Sequence, residues 1–228
     1  MNPHYTYFLI LAASLAGPLA LSFDKKVAFY KKWKWLSPAM ILPAVFYIVW
    51  DALFTAQGIW HFNEKYICGI QFYGLPIEEI LFFFVVPYCC VFIYECIRCY
   101  FPNIKSNAFS NNFLRMIALV LGIACFFVAG KDYSFYTFLF LSITLLLFWV
   151  FEKTFPEFNS AAFLVSYTVI LIPFLIVNGF LTAIPVVEYN DAENLGFRIY
   201  TIPLEDVFYG MLLIFLNVLL FEKFKKLY

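Results

Sequence analysis

Gly74-Leu75-Pro76-Ile77-Glu78-Glu79-Ile80-Leu81 is the stretch from which the fold of this chain can be inferred. It places two adjacent carboxyl groups at the start of an apolar run that continues to about Cys99. A charged group inside membrane-spanning sequence costs about 2.5–3.5 kcal/mol on insertion scales, so it needs a partner or a use. The same arrangement returns 127 residues later as Ile202-Pro203-Leu204-Glu205-Asp206-Val207. The chain therefore carries one acidic helix start twice.

The 127-residue shift continues on both sides of the motif and needs no gap. Residues that coincide at this shift include Asp51 and Asn178, Thr55 and Thr182, Asn63 and Asn190, Gly69 and Gly196, Tyr73 and Tyr200, and Glu95 and Glu222. Two copies of one structural unit are the simplest explanation of such a match.

The composition indicates a polytopic membrane protein. The chain is 64% hydrophobic and 13% charged, whereas a soluble domain is closer to half apolar and a quarter charged. The net charge is zero, so no overall basic field attracts nucleic acid.

Seven apolar runs are long enough to span a bilayer, since a spanning helix needs about 20 residues. They are predicted at about 4–22, 36–56, 77–99, 113–130, 134–151, 161–182 and 204–222. Helices 1–3 match helices 5–7, and helix 4 joins the two sets. We predict an all-α polytopic membrane protein with two parallel three-helix repeats, about 4–100 and 131–227, and a linker helix at about 113–130. The whole chain, 1–228, is predicted to be one integral membrane domain.

Lys and Arg residues predict the orientation, because they are enriched in cytoplasmic loops. Twelve of the 15 lie on the side of the first loop, and three, Lys65, Lys131 and Arg198, lie on the other. We predict insertion in the cell (inner) membrane, with the N-terminus outside and the C-terminus cytoplasmic. Both acidic motifs then lie at the outer ends of their helices, beneath two long aromatic connections at about 57–75 and 183–202.

The acids have a structural and a chemical interpretation. Pro followed by Glu is a common helix start, in which the carboxylate meets free backbone amides. However, two consecutive helix residues cannot face the same direction, and a cap needs one acid. A polar residue, Asp51 or Asn178, also ends the preceding helix of each unit. Glu95 and Glu222 lie about 25 Å further along the helices at 1.5 Å per residue, and we assign them an interfacial role.

Clustered acids in an apolar, aromatic site can carry out acid–base chemistry. Burial disfavours the charged form of a carboxyl, and a second carboxylate nearby favours retention of a proton. One carboxyl can then act as general acid and its neighbour as base. Aromatic faces can stabilise a cationic intermediate. These groups suit protonation of an isoprenoid double bond, ring closure and loss of a proton, without net redox change.

Other chemistries lack their sequence signals. There is no GxGxxG for a dinucleotide and no DDxxD-type pair for magnesium diphosphate. His4 and His61 are too far apart to form a local ligand pair, and Cys96-Ile-Arg-Cys99 has no second pair for zinc. The last helix lacks a central Lys for a retinal Schiff base. We predict no cofactor and no metal.

The segments Phe72–Phe83 and Ile202–Asp206 resemble the Pro-x-Glu-Glu/Asp signature of the carotenoid lycopene β-cyclase domain family, in a fused two-unit form. The resemblance implies cyclisation of the ψ-ends of lycopene to β-ionone rings, giving γ-carotene and β-carotene. The predicted catalytic residues are Glu78, Glu79, Glu205 and Asp206. The predicted substrate contacts are Asp51, Asn178, Tyr73, Tyr200, Trp60, Pro76 and Pro203. The predicted partners are lycopene, the lipid bilayer and, as a further candidate, other carotenoid enzymes.

Three alternatives stay open. The chain could be another isoprenoid or carotenoid cyclase of the same acid–base kind. Parallel repeats with intramembrane acids also suit a proton-coupled transporter, although no acid lies at mid-span. In a structural or pigment-binding protein, the acids would only cap helices.

Overall fold

The structure, a computed structural model, describes residues 2–227. Within them, seven helices are long and apolar enough to cross a membrane, which confirms the predicted fold class. Their bounds are α1 Thr6–Leu21, α2 Trp33–Gln57, α3 Ile77–Tyr100, α4 Ala108–Ala124, α5 Asp132–Val150, α6 Ser160–Ala183 and α7 Glu205–Leu227.

The linker helix α4 begins and ends earlier than its hydropathy predicts. Asn107 caps it: its side chain accepts a hydrogen bond from Ser110 N at 2.9 Å, and Ser110 Oγ accepts one from Asn107 N at 3.1 Å. This capping box satisfies two backbone donors and sets the helix start outside the apolar run. At the other end the chain passes through the 3-10 turn Cys125–Phe127 to Gly130, whose φ of 99° ends the helical path.

Six short strands lie in the two long connections, and the sequence analysis did not predict them. They are β1 Trp60–Phe62, β2 Gln71–Phe72, β3 Leu75–Pro76, β4 Val187–Tyr189, β5 Arg198–Ile199 and β6 Ile202–Pro203. Strands β2 and β3 form one hairpin, and β5 and β6 form its counterpart in the second repeat. We call the end of the molecule that carries these strands, where α3 and α7 begin, the motif end.

Strands β1 and β4 pair antiparallel and join the two repeats. His61 pairs with Glu188, and these two residues occupy the same repeat position at the 127-residue shift. The flanking backbone bonds also match, since Asn63 N donates to the carbonyl of residue 186 at 3.0 Å and Asn190 N to that of residue 59 at 2.9 Å. A pseudo-two-fold axis therefore passes through this ribbon.

The helices of the two repeats interlock around the same axis. Helix α1 packs on α3, and α5 packs on α7, within their own repeats. Helix α2 makes its largest contact with α7, and α6 packs mainly on α3. The second helix of each repeat therefore packs mainly against the third helix of the other repeat. This exchange brings the starts of α3 and α7 together beneath the β1–β4 ribbon.

Candidate active site

The two acids of each motif point in different directions. Successive residues of an α-helix are about 100° apart around the axis, at 3.6 residues per turn. Glu79 and Asp206 face a cavity between the repeats, whereas Glu78 and Glu205 face the connections that precede α3 and α7. All four side chains are buried.

The first acid of each motif holds a loop. Glu78 Oε1 accepts a hydrogen bond from Cys68 N at 2.7 Å, and Glu205 Oε1 accepts one from Leu195 N, also at 2.7 Å. The two bonds are related by the 127-residue shift. Glu205 Oε1 also accepts a bond from Ser134 Oγ at 2.5 Å. Each first acid thus holds a connection through one oxygen, while Glu78 Oε2 and Glu205 Oε2 are buried without a hydrogen-bond partner within residues 2–227.

The second acid of each motif accepts hydrogen bonds from buried tyrosines. Tyr7 donates to Glu79 Oε2, and Tyr133 donates to Asp206 Oδ1 at 2.5 Å. Tyr189 donates to Asp206 Oδ2 at 3.0 Å. Burial and the neighbouring Asp206 carboxylate raise the pKa of Tyr189 well above its usual range, so its phenol keeps the proton that it donates. The first helix of each repeat thus supplies a phenol to its own motif.

The sequence analysis did not identify Tyr7 and Tyr133, although both carry a distinct signal. They lie 126 residues apart, one less than the shift that aligns the motifs, so the ungapped comparison did not pair them. Each precedes its acid by a similar distance: 72 residues to Glu79 and 73 to Asp206. A one-residue gap between the first and second helices of the repeat would have revealed them.

The cavity collects several of the predicted substrate contacts. It has a volume of about 50 Å³ and lies beneath the β1–β4 ribbon. Glu79 and Asp206 line it together with Asp51, Asn178 and Trp60. Asp51 Oδ2 and Trp60 Nε1 are buried and have no hydrogen-bond partner within residues 2–227. The Trp60 indole nevertheless lies next to the Asp51 carboxyl, so a ligand that reaches one of these groups would also meet the other.

The electrostatics of the cavity are unusual because its charged side chains all have one sign. Three carboxyl groups line it, and none of the described residues around it is Lys, Arg or His. Like charges repel one another, and burial weakens the solvation of each of them. The remaining wall is largely aromatic and includes the rings of Phe82 and Tyr209. Within residues 2–227 no group of His, Cys, Asp and Glu could hold a metal ion.

Four predicted contacts lie elsewhere. Tyr73 and Tyr200 are 95% and 82% exposed and lie at the hairpin tips, with φ values of 51° and 60°. They repeat because both hairpins need the same turn, not because they reach the cavity. Pro76 and Pro203 are buried at the starts of α3 and α7 but do not line the cavity.

A second acidic cluster lies at the other end of α3 and α7. Glu95 binds Lys32 and Lys225, the latter at 2.8 Å, and Arg98 Nη1 lies 2.5 Å from Glu222 Oε1. These are the two deeper acids, to which we assigned an interfacial role.

A protein-family model described as lycopene cyclase matches residues 4–97 and 130–224. The two matched segments begin 126 residues apart, which is also the spacing between Tyr7 and Tyr133. They end 127 residues apart, which is also the spacing between the acid motifs. No match to the chain was found among curated proteins or among solved structures.

Proposed function

Because the chain belongs to the lycopene cyclase family, we propose that it is a lycopene β-cyclase that closes the linear ψ-ends of lycopene into β-ionone rings. Membership of the family makes it an enzyme of carotenoid cyclisation. The proposal adds the product, γ-carotene followed by β-carotene, and the reaction route. The observation that supports it best is the meeting of Glu79 and Asp206 in one buried, aromatic cavity whose described lining contains no Lys, Arg or His.

The proposed reaction needs one proton donor and one proton acceptor. A carboxyl group adds its proton to the terminal double bond of the ψ-end and leaves a tertiary carbocation. The neighbouring double bond attacks this cation and closes the six-membered ring, which moves the positive charge into the ring. A carboxylate then removes a ring proton and restores a double bond. The product is an isomer of the substrate, so no electrons enter or leave.

The hydrogen bonds suggest which residue takes each role. Hydrogen bonds to a carboxylate favour its charged form. Asp206 accepts two phenol bonds, whereas Glu79 accepts one. We therefore assign Glu79 as the acid and Asp206 as the base. The first acids, Glu78 and Glu205, contribute by holding the connections that cover the cavity.

The cavity wall suits a carbocation. Trp60, Phe82 and Tyr209 line it, and aromatic faces attract cations more strongly when water is excluded. The β1–β4 ribbon lies over the cavity. Exclusion of water protects a reactive cation from capture by hydroxide or water.

The test is the conversion of lycopene by the intact protein. We would express the chain in bacteria that accumulate lycopene and identify the carotenoids by chromatography and mass spectrometry. We expect γ-carotene and β-carotene. The purified protein, incubated with lycopene in D₂O, should incorporate one deuterium per ring, because the donor carboxyl exchanges with solvent. The double variant Glu79→Gln/Asp206→Asn, produced at the same membrane level, is the control and should leave lycopene unchanged.

Other outcomes would redirect the assignment. Rings with the double bond in another position would indicate a different carotenoid cyclase. Unchanged lycopene, with the wild-type protein monodisperse in detergent, would contradict the proposal. Proton-coupled uptake by proteoliposomes would then favour the transporter.

We also propose insertion in the inner membrane with the motif end outside, which rests on the distribution of Lys and Arg. A single cysteine at the exposed position Tyr73, in a background without native cysteines, should react with an impermeant maleimide in intact cells. A cysteine at position 105 should react only after the cells are opened. Reversed labelling would contradict the orientation.

A further inference from the structure

A second, apolar space adjoins the acid cavity. It has a volume of about 180 Å³ and lies between α1, α3 and α6. It shares Phe82, Val86, Phe174 and Asn178 with the cavity, so these side chains form the wall between the two spaces. Its wall runs along α3 from Phe82 to residue 93, about 16 Å at 1.5 Å per residue. We call it the α1–α3–α6 groove.

The groove breaks the pseudo-two-fold symmetry. Its wall contains Ser14 on α1, and Pro173 and Val177 on α6. In the first helix of the repeat, the 126-residue shift pairs Ser14 with Phe140. In the second helix, the 127-residue shift pairs Pro173 with Phe46 and Val177 with Trp50. Small side chains on one side therefore correspond to large aromatic side chains on the other.

The aromatic side chains fill the equivalent position. The ring centroids of Trp50 and Phe140 are 4.9 Å apart, and those of Phe46 and Phe140 are 5.5 Å apart. Trp50 also lies 5.0 Å from Tyr209, which lines the acid cavity. This cluster closes the α2–α5–α7 side of the cavity with packed rings, whereas on the side toward α6 the smaller Pro173 and Val177 take the places of Phe46 and Trp50.

We propose that the α1–α3–α6 groove holds the conjugated chain of the carotenoid while its end group reacts in the acid cavity, and that the aromatic-filled side admits no substrate. This inference rests on the proposed cyclase function. The groove is apolar and elongated, and it adjoins the acid cavity, as a long hydrocarbon chain with one reacting end requires. One groove serves one end group at a time, so the half-cyclised product must leave and return reversed before its second ring closes.

Phe174 lies at the junction of the two spaces. The cavity volume of about 50 Å³ has room for only a few water molecules, so an end group needs additional room. A Cβ added at Gly210 would lie 2.9 Å from Phe174 Cε2, so this glycine leaves space for the ring. In the other half, Phe83 occupies the position of Gly210 and packs against Tyr47 at 5.5 Å. The close packing of a ring on a glycine is thus found only on the groove side.

The experiment copies the closed side onto the open side. Val177→Trp and Ser14→Phe place the aromatic residues of the second half in the groove. Ile176→Trp adds the same bulk to the adjacent position, which is 56% exposed, and serves as the matched control. We expect each groove variant to lower lycopene turnover at least about tenfold, because the end group is displaced from the acids. Ile176→Trp should keep the wild-type rate.

A binding measurement separates the groove from the chemistry. In the Glu79→Gln/Asp206→Asn background, the lycopene that copurifies with the protein should fall severalfold with Val177→Trp and stay unchanged with Ile176→Trp. Variants that are not monodisperse in detergent would be replaced by Val177→Phe. Equal turnover in Val177→Trp and Ile176→Trp would overturn the groove assignment. A wild type that retains lycopene through the groove but forms no ring would overturn the reaction and leave the groove standing.

Discussion

The two ends of α3 and α7 carry similar pairs of buried carboxyl groups in opposite electrostatic surroundings. At the motif end, Glu79 and Asp206 meet only phenols among the described residues and share their cavity with a third carboxyl, Asp51. At the opposite end, the Glu95 and Glu222 side chains are 3% and 4% exposed, yet each contacts basic side chains. Burial is therefore similar, and the partners differ.

The basic partners form a reciprocal clamp. Arg98 on α3 binds Glu222 on α7, and Lys225 on α7 binds Glu95 on α3. Arg98 and Lys225 occupy the same repeat position, so the two ion pairs are related by the pseudo-two-fold axis. A cation holds a carboxylate in its charged form, which suits a structural link. A carboxyl that faces phenols and other carboxyls can gain and lose a proton, which suits catalysis.

The strongest test of this contrast replaces single acids with neutral amides. Glu79→Gln and Asp206→Asn should each lower the rate of ring formation at least about a hundredfold, because general acid–base catalysis is lost. The rate would be measured with purified protein and lycopene. Glu95→Gln is the matched control and should keep the rate per folded molecule. An equal loss in all three variants would mean that the two ends do not differ in function.

The phenol donors should have the next largest effect. A hydrogen bond to a charged group contributes about 1.5–3 kcal/mol, so Tyr7→Phe and Tyr133→Phe should each slow cyclisation roughly ten- to a hundredfold. Tyr47→Phe is the control, because this buried phenol donates to the Tyr209 backbone carbonyl at 2.8 Å and not to a carboxyl group. It should lower thermal stability slightly and keep the rate. If the three variants cyclise lycopene at the same rate, the phenols do not position the acids.

The first acid of the motif should matter less than the second. In Glu78→Gln the amide oxygen can still accept the bond from Cys68 N, so we expect less than about a fivefold loss of rate. Glu78→Ala removes the bond and should speed proteolysis of the connection at 57–75. Both rate and proteolysis would be compared with Glu79→Gln. A loss from Glu78→Gln as large as that from Glu79→Gln would restore Glu78 to a catalytic role.

The smallest effect on chemistry is expected from the clamp. Arg98→Met should leave the rate per folded molecule unchanged and lower the free energy of unfolding by about 2 kcal/mol, between the values for exposed and buried ion pairs. Thermal unfolding in detergent would measure it. The double variant Arg98→Met/Glu222→Leu should regain much of the loss, because it removes the buried carboxylate that Arg98→Met leaves dependent on the longer contact of 3.6 Å to Lys225. A rate that falls with Arg98→Met at unchanged stability would assign the clamp a catalytic function.

Much of the architecture could be predicted because it depends on simple patterns. Hydropathy located the seven helices, and the 127-residue shift located the repeat. The shift also anticipated tertiary detail, since Asn63 and Asn190 take equivalent places beside the β1–β4 ribbon. The short strands escaped prediction because three-residue strands carry too few side chains to show an alternating pattern.

The site was harder to predict, because two residues at equivalent repeat positions need not lie close to the acids. Tyr73 and Tyr200 occupy equivalent positions because both hairpins need the same turn, and both side chains are exposed. Asp51 and Asn178 also occupy equivalent positions, but they line the cavity. Tyr7 and Tyr133 bind the acids but fall out of the ungapped alignment by one residue. A repeat thus predicts which residues are equivalent, but only the tertiary structure gives their distance from the acids.

By itself, the sequence determined that the protein lies in a membrane, that it consists of two similar units, and that an acid pair begins one helix of each. These properties follow from composition and spacing, which folding does not change. The tertiary structure decided which acid of each pair faces the cavity, because one residue along a helix is a rotation of about 100°. It also decided that phenols donate hydrogen bonds to one pair of carboxyls, whereas basic side chains form ion pairs with the other pair. Packing between helices distant in sequence, finally, left one groove open where the aromatic cluster around Trp50 closes its counterpart.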